Sequence, residues 1–267
     1  MIGSIANNRF LHRVNPEIKR ALNETGAAAS MRQMVDLDIA KNLVGWWHRD
    51  NVNTRVSGSD TFVTQANDSS GGTNDAIQTT EANQPKLVSL GMEFDGSDDY
   101  LNCGQDDSLQ ITVNLTVMMW VKNIQSDRVY TICKWLTTGN NRQWLIGITA
   151  NGEMVVIIDR DGDNANRKYY VGTTTVAQED AWHLIGFTFA ANDLRLYVDG
   201  SEETVTKTSD PTINAMTAVS ANLIIAQSDQ GTGNNTGIYS DVRVFSKALS
   251  ASEITAIHNQ TKGAYGL

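Results

Sequence analysis

The stretch from Gly91 to Leu101 constrains the fold of this chain more than any other. Its residues are Gly-Met-Glu-Phe-Asp-Gly-Ser-Asp-Asp-Tyr-Leu, in which an apolar-flanked strand runs into an Asp-Gly turn. A second strand, from Tyr100 to Cys103, follows the turn. This pattern is typical of a β-hairpin or of a corner at which a strand changes direction. We therefore expect strands on both sides of the turn.

Strand-like segments recur along the rest of the chain. They are rich in β-branched and aromatic residues, which favour strands. The predicted strands are residues 115–122, 142–149, 153–159, 168–176, 182–189, 194–200, 222–227 and 238–246. Asn151-Gly152 is a strong hairpin signal between two of them. Residues 49–67 fit either a polar loop or an inserted β-hairpin.

In their order and spacing these segments resemble the laminin-G-like, concanavalin A-like jelly-roll family. Leu43–His48 resembles the first strand of that family, Asp68–Ala76 resembles one of its loops, and Leu249–Ile254 resembles its closing Ser-capped helix. The resemblance covers roughly residues 43–260. It implies an all-β fold, a two-sheet antiparallel jelly-roll sandwich over residues 43–267. Because this fold hosts binders, enzymes and structural proteins, it does not fix a function.

Residues 1–42 differ from the rest and predict a short N-terminal helical arm. Asn15-Pro16 places an N-cap before a proline at the first helical position. Apolar side chains then recur at helical spacing, and they could dock on the sandwich or on another subunit. The residues predicted to dock are Phe10, Leu11, Ile18, Leu22, Met31 and Met34.

Charge and cysteine content limit the partners and the redox chemistry. The chain carries 21 Lys and Arg against 30 Asp and Glu, a net charge of −9, which disfavours nucleic acid as a partner. The sequence contains no run of 18 apolar residues, so we predict no membrane span. Its first residues lack the apolar core of a secretory signal. Cys103 and Cys133 could pair, but their apolar surroundings favour two buried free thiols.

Glu93 and Asp95 raise the question of glycoside hydrolysis, because glucanases share the family fold. Two residues apart on a strand, they lie on one face. Laminarinase-type relatives carry Glu-x-Asp-x-x-Glu, whereas the last position here is Asp98, whose shorter side chain lies in a turn. We therefore predict that the protein is not an enzyme.

The segment from Asp159 to Asn164 offers oxygen ligands in alternation. Asp159, Asp161 and Asp163 are of the type that Ca²⁺ binds, although the spacing is not that of an EF-hand. A polar hairpin turn explains the same residues. No cofactor is required by any motif, and Ca²⁺ at these three aspartates is kept as a prediction.

The best candidate for ligand or partner contact is the loop between two tryptophans. Sugar sites combine aromatic rings with planar polar groups, and this loop offers both, although rings on a strand often face the core. The candidate residues are Trp135, Asn140, Asn141, Arg142 and Trp144.

These observations lead to a ranked expectation for function. The first is a non-enzymatic structural, decoration or adhesion protein of a bacteriophage head or tail. It would be oligomeric within the virion, contact other virion proteins and be able to bind a cell-surface glycan. The second is an extracellular carbohydrate-binding module of a bacterium. A glycoside hydrolase is the third.

Overall fold

The computed structural model describes residues 38–125, 129–177, 180–228 and 234–267, and antiparallel strands dominate this part of the chain. The strands are β1 Leu43–Trp47, β2 Val52–Ser57, β3 Asp60–Ala66, β4 Ala76–Ile77, β5 Lys86–Val88, β6 Gly91–Asp95, β7 Leu101–Asn102, β8 Leu115–Lys122, β9 Val129–Leu136, β10 Asn141–Ile148, β11 Glu153–Asp159, β12 Arg167–Thr175, β13 Trp182–Ala190, β14 Asp193–Val198, β15 Ser201–Glu202, β16 Thr206–Ser209, β17 Leu223–Ile225 and β18 Thr236–Phe245. An α-helix, α1, spans Ala251–Thr261 after the last strand. Strands at all the positions named above confirm the all-β prediction.

The strands form two layers. In the first sheet, β18 pairs with β1 and β6 on one side and with β8 on the other. Strand β8 then pairs with β13, β13 with β14, and β14 with β15. In the second sheet, β7, β17, β9, β10, β11, β12 and β16 pair in that order. Strand β3, paired with β2, β4 and β5, bridges the two sheets. Of the two alternatives for residues 49–67, a polar loop or an inserted hairpin, the structure shows the hairpin.

The main core lies between the two sheets, and each sheet also has an outer face, the face turned away from that core. Strand β8 shows the division: Met119 and Val121 belong to the main core. Met118 and Trp120, which alternate with them, belong to a second apolar cluster on the outer face of the first sheet. Because both faces are covered, all but the last residue of β8 are buried.

Helix α1 covers the outer face of the first sheet. Ser250 accepts a hydrogen bond from the backbone N of Glu253, and the Glu253 side chain accepts one from the Ser250 backbone N, which completes a capping box. Ile254 and Ile257 bury themselves against the tryptophans of the sheet. The predicted Ser-capped closing helix is therefore confirmed. No helix of the described residues has the length and apolar character needed to cross a bilayer.

The stretch from Gly91 to Leu101 forms a corner and not a hairpin. Strand β6 pairs with β18 and β5, whereas β7 pairs with β17 and β4. The Asp-Gly turn therefore carries the chain from one sheet to the other. Gly96 has φ +77°, and a Cβ there would lie 2.0 Å from the Thr236 side chain, so the turn requires glycine.

A carboxyl group is buried at this corner. Asp99 is 6 % exposed and accepts a hydrogen bond of 3.0 Å from the backbone N of Asp95. Burial raises the pKa of Asp99 to about 6, and the neighbouring charges of Asp95 and Asp98 act in the same direction. The folded protein therefore holds this proton more tightly than the unfolded chain does.

We expect Asp99→Asn to stabilise the protein at neutral pH. A raised carboxyl pKa means that stability is lost as the pH rises from the unfolded pKa, about 4, to the folded one near 6. Asparagine keeps the acceptor without the charge. Urea unfolding should show a gain of about 1–2 kcal/mol at pH 7.5 and no gain at pH 4. The control Asp107→Asn removes an exposed carboxylate instead. An equal gain from Asp99→Asn at pH 7.5 and at pH 4 would contradict the prediction.

The two cysteines lie in the interior, and a short helical segment precedes β1. Cys103 and Cys133 are both free and buried, as predicted. Residues 38–41 are helical, and Ile39 and Leu43 pack against the cluster on the outer face of the first sheet. The six residues predicted to dock, Phe10, Leu11, Ile18, Leu22, Met31 and Met34, lie outside the described residues.

Candidate functional site

The outer face of the second sheet carries a groove of about 510 Å³. Strands β9 to β12 form its floor, and the turns beside them form its ends. Its lining combines aromatic rings, two arginines, small polar groups and aliphatic side chains. The lining residues are Tyr130, Trp135, Thr137, Arg142, Leu145, Gly147, Thr149, Ala150, Asn151, Val155, Ile157, Asn164, Arg167 and Tyr169.

Strand register places the floor of the groove on one face. The Asn151-Gly152 turn sets Leu145 opposite Ile157, and Ile157 in turn lies opposite Tyr169. Cys133 lies opposite Leu145 on the other side. These four side chains form a row across the sheet, and they belong to an apolar cluster separate from the main core. The alternate residues on the same strands, such as Ile158 and Tyr170, face the core.

Three aromatic rings stand along the groove. Tyr130 and Tyr169 are partly buried, and both pack against the apolar cluster of the outer face. Trp135 is 4 % exposed and forms part of the wall. Burial raises the pKa of the Tyr130 phenol, so Tyr130 is a neutral hydroxyl at physiological pH. Rings of this kind present an apolar surface together with a hydrogen-bonding edge.

Two arginines lie at one end of the groove, and the turns hold them there. Arg142 donates from its Nη1 to the carbonyl oxygen of Gly162 over 3.1 Å. Arg167 donates from its Nη1 to Oδ1 of Asn164, and its guanidinium lies 5.8 Å from the centroid of the Tyr169 ring. Both side chains are therefore positioned before any ligand arrives.

The turn that carries Gly162 is organised by Asp159. This aspartate is fully buried, and its Oδ1 accepts hydrogen bonds from the backbone N atoms of Asp161 at 3.1 Å and Gly162 at 2.7 Å. Burial raises the pKa of Asp159. Gly162 itself has φ +81°, and a Cβ there would lie 2.1 Å from the carbonyl oxygen of Asn140. The turn is thus closely packed against the β9–β10 connection.

The three aspartates predicted to bind Ca²⁺ have other partners. Asp161 pairs with Arg160 and accepts a hydrogen bond from Asn166, and Asp163 accepts one from the backbone N of Ala165. Among the described residues, the three carboxylates whose oxygens come within 4.8 Å of one another are Asp95, Asp98 and Asp99 at the corner instead. Calcium binding stays a prediction.

The structure separates the five residues predicted for ligand contact. Trp135 and Arg142 line the groove, opposite each other in the register. Trp144 faces the main core, is 2 % exposed and lies 5.8 Å from the Phe187 ring, so it does not line the groove, and its role as a contact residue stays a prediction. Strand alternation is the physical reason. Asn140 and Asn141 do not line the groove; the Asn141 carboxamide oxygen accepts hydrogen bonds from Ser220.

Sequence reasoning missed other lining residues, notably Tyr130, Asn151 and Arg167. Tyr169 was missed as well, because a ring on a strand can face either side of the sheet. For the floor of the groove a signal was present in the Asn151-Gly152 turn, because the register counted back from that turn places Leu145 and Ile157 on one face. The pairing of β12 with β11, which adds Tyr169, follows no such short turn.

A family model described as the concanavalin A-like lectin/glucanases superfamily matches residues 95–255, more than half of the chain. The chain belongs to this superfamily. The match includes strands β9 to β12 and therefore the floor of the groove. A search of curated protein sequences finds no significant match.

Solved structures share the superfamily fold at low sequence identity. The binding domain of Paraclostridial Mosquitocidal Protein 1 is 12 % identical, with a TM-score of 0.58 over 83 % of this chain and 53 % of that one. The botulinum neurotoxin serotype D ligand binding domain, in complex with N-acetylneuraminic acid, is 16 % identical, with a TM-score of 0.59 over 84 % and 52 %. Trypanosoma rangeli sialidase is 13 % identical, with a TM-score of 0.60 over 88 % and 39 %.

These comparisons establish the fold, which binding domains and an enzyme share. The chain spans about half the length of the two binding-domain structures and less of the sialidase. The choice between binding and catalysis therefore depends on the groove of this chain and on its own residues.

Proposed function

We propose that this protein is a non-enzymatic, lectin-like module that binds a glycan in the groove on the outer face of the second sheet. The observation that carries the proposal is the contrast between the two outer faces. Helix α1 covers the apolar cluster of the first sheet, whereas the corresponding face of the second sheet carries the open groove. Aromatic rings and planar polar groups that remain open to solvent are the elements of a sugar site.

The chemistry of the lining suits a saccharide. The apolar faces of Tyr130 and Tyr169 can pack against the C–H faces of a sugar ring. Asn151 and Thr149 supply hydrogen-bonding groups for hydroxyls. A volume of about 510 Å³ falls within the range of small-ligand sites, roughly 300–1,000 Å³.

The same lining argues against hydrolysis. Most glycosidases need a pair of carboxyl groups across the scissile bond. Among the described residues that line the groove, none is Asp or Glu. Glu93 and Asp95 lie exposed on one face of β6 in the first sheet, not on the floor of the groove. We therefore propose binding without turnover.

The test is a glycan array followed by calorimetry on the best ligand. We expect Tyr169→Ala to weaken binding at least about tenfold, or 1.4 kcal/mol, because the ring forms part of the contact surface. The matched control is Tyr100→Ala, which removes a partly buried ring outside the groove and should leave affinity unchanged. Equal affinity for the wild type and Tyr169→Ala, or no glycan bound at all, would refute the proposal.

We further propose that the module is displayed on an assembled particle, a phage virion, as an oligomeric part of its head or tail. An extracellular setting is the alternative. The packing of Ile39 and Leu43 on the outer face of the first sheet supports this view, because the chain enters the described domain away from the groove. An attachment at that side would leave the groove free. Terminase, portal and tail genes beside this gene would support the virion setting over the extracellular one.

A further inference from the structure

We propose that the groove selects acidic saccharides, those that carry a carboxylate, and that Arg142 and Arg167 recognise the acid group. This inference rests on the proposed function and specifies its ligand class. The lining contains two arginines and, among the described residues, no Asp or Glu. The protein as a whole carries a net charge of −9, so the lining of the groove, which is positive, is opposite in charge to the protein as a whole.

The two groove arginines also differ from the other arginines in their partners. Five other arginines of the described residues have a carboxylate oxygen within 4.0 Å: Arg49, Arg55, Arg160, Arg195 and Arg243. Within the described part of the chain, Arg142 and Arg167 have no such ion pair; the hydrogen bonds of their guanidinium groups go to neutral oxygens. Neither guanidinium is therefore directly paired with a carboxylate of the described residues.

The register brings the two guanidinium groups to the same end of the groove. Arg142 lies on β10 opposite Trp135, and Arg167 lies on β12 opposite Asp159. One strand, β11, separates them, so their backbones are about 10 Å apart at the usual strand spacing. Both side chains are long enough to converge on one acid group or to hold two successive ones.

Each guanidinium has donors left for a ligand. A guanidinium offers five N–H groups in a planar fork that matches a carboxylate. The bond from Arg142 to Gly162 and the bond from Arg167 to Asn164 each use one Nη1. Pre-positioning by these neutral partners lowers the entropy cost of binding.

The opposite end of the groove has no cationic lining residue, and the Thr149 hydroxyl there donates a hydrogen bond to the Glu153 carboxylate, so the two ends give an acidic ligand a direction. Thr149 and Asn151 lie there, beside the hairpin turn between β10 and β11. A saccharide would thus place its acid group at the arginines and its neutral hydroxyls near Asn151. The aromatic rings lie between these ends or along the walls.

The experiment compares acidic probes with their neutral counterparts. The probes are sialyllactose and trigalacturonate, each with its methyl ester, together with lactose. We expect the wild type to bind at least one acid form about tenfold more tightly than its ester. Arg142→Gln and Arg167→Gln should each remove most of that preference. Arg195→Gln, which makes the same change in charge outside the groove, should leave it intact.

Two further measurements keep the outcome clear. Thermal melts of each variant establish that it is folded, and Arg167→Lys keeps the charge without the planar fork, so it should retain part of the preference. If the esters bind as tightly as the acids, or if Arg195→Gln has the same effect as the groove variants, the acid selection is wrong while glycan binding stands. If no saccharide of the array binds, both proposals fail together.

Discussion

Replacing Trp120 with alanine is expected to lower the free energy of unfolding by about 3–5 kcal/mol. The side chain is fully buried beneath helix α1, and its Nε1 donates a hydrogen bond of 3.0 Å to Oγ1 of Thr261. Its ring lies 4.3 Å from that of Tyr265 and 5.6 Å from that of His258. Alanine would leave a cavity between sheet and helix and would remove the anchor of the helix.

Urea unfolding followed by circular dichroism measures this loss. The control Trp120→Phe keeps most of the ring and removes the bond to Thr261, so it should cost about 1–2 kcal/mol. A loss of less than about 1 kcal/mol in Trp120→Ala would show that α1 does not depend on this contact.

The second large effect is expected at Gly162, where alanine should cost about 2–4 kcal/mol. The φ of +81° disfavours any residue with a Cβ, and the added atom would also meet the Asn140 carbonyl oxygen at 2.1 Å. Because that oxygen belongs to the backbone, it cannot rotate away. The β9–β10 connection or the Gly162 turn must shift.

Gly58→Ala separates the cost of the positive φ from the cost of the steric clash. Gly58 also has a positive φ, +62°, but no atom lies within 4 Å of the position that its Cβ would take. Only the backbone cost remains, about 1 kcal/mol. Equal losses in thermal unfolding for the two variants would contradict the proposed clash. Gly162→Ala should also weaken glycan binding, since the Gly162 carbonyl holds Arg142.

The fold could be predicted from sequence to the extent that its signals are local. The Asn151-Gly152 turn and the Ser250 capping box each depend on a few adjacent residues, and both are present as expected. The choice between hairpin and corner at Gly96 could not be made locally. It depends on the pairing of β6 with β18 and of β7 with β17, whose partners are distant in the chain.

The site was only partly predictable for a related reason. Trp135 and Trp144 look equivalent in sequence, since each lies on a strand beside the same loop. A register shift between Arg142 and Trp144 decides which ring faces the core. Arg167 was missed because its neighbour in the groove, Arg142, lies two strands away in the sheet and is brought close only by the pairing with β11.

The pairing of β1 with β18 has a consequence for synthesis of the protein. Leu43 lies opposite Phe245, so the first strand of the domain cannot pair until the last strand has been synthesised. A ribosome must release every residue from Leu43 to Phe245 before this ladder can close, and loop closure over such a length is slow. Until then β8 lacks its neighbour and exposes an apolar edge. Nascent chains that stop short of β18 are thus the species that chaperones must shield.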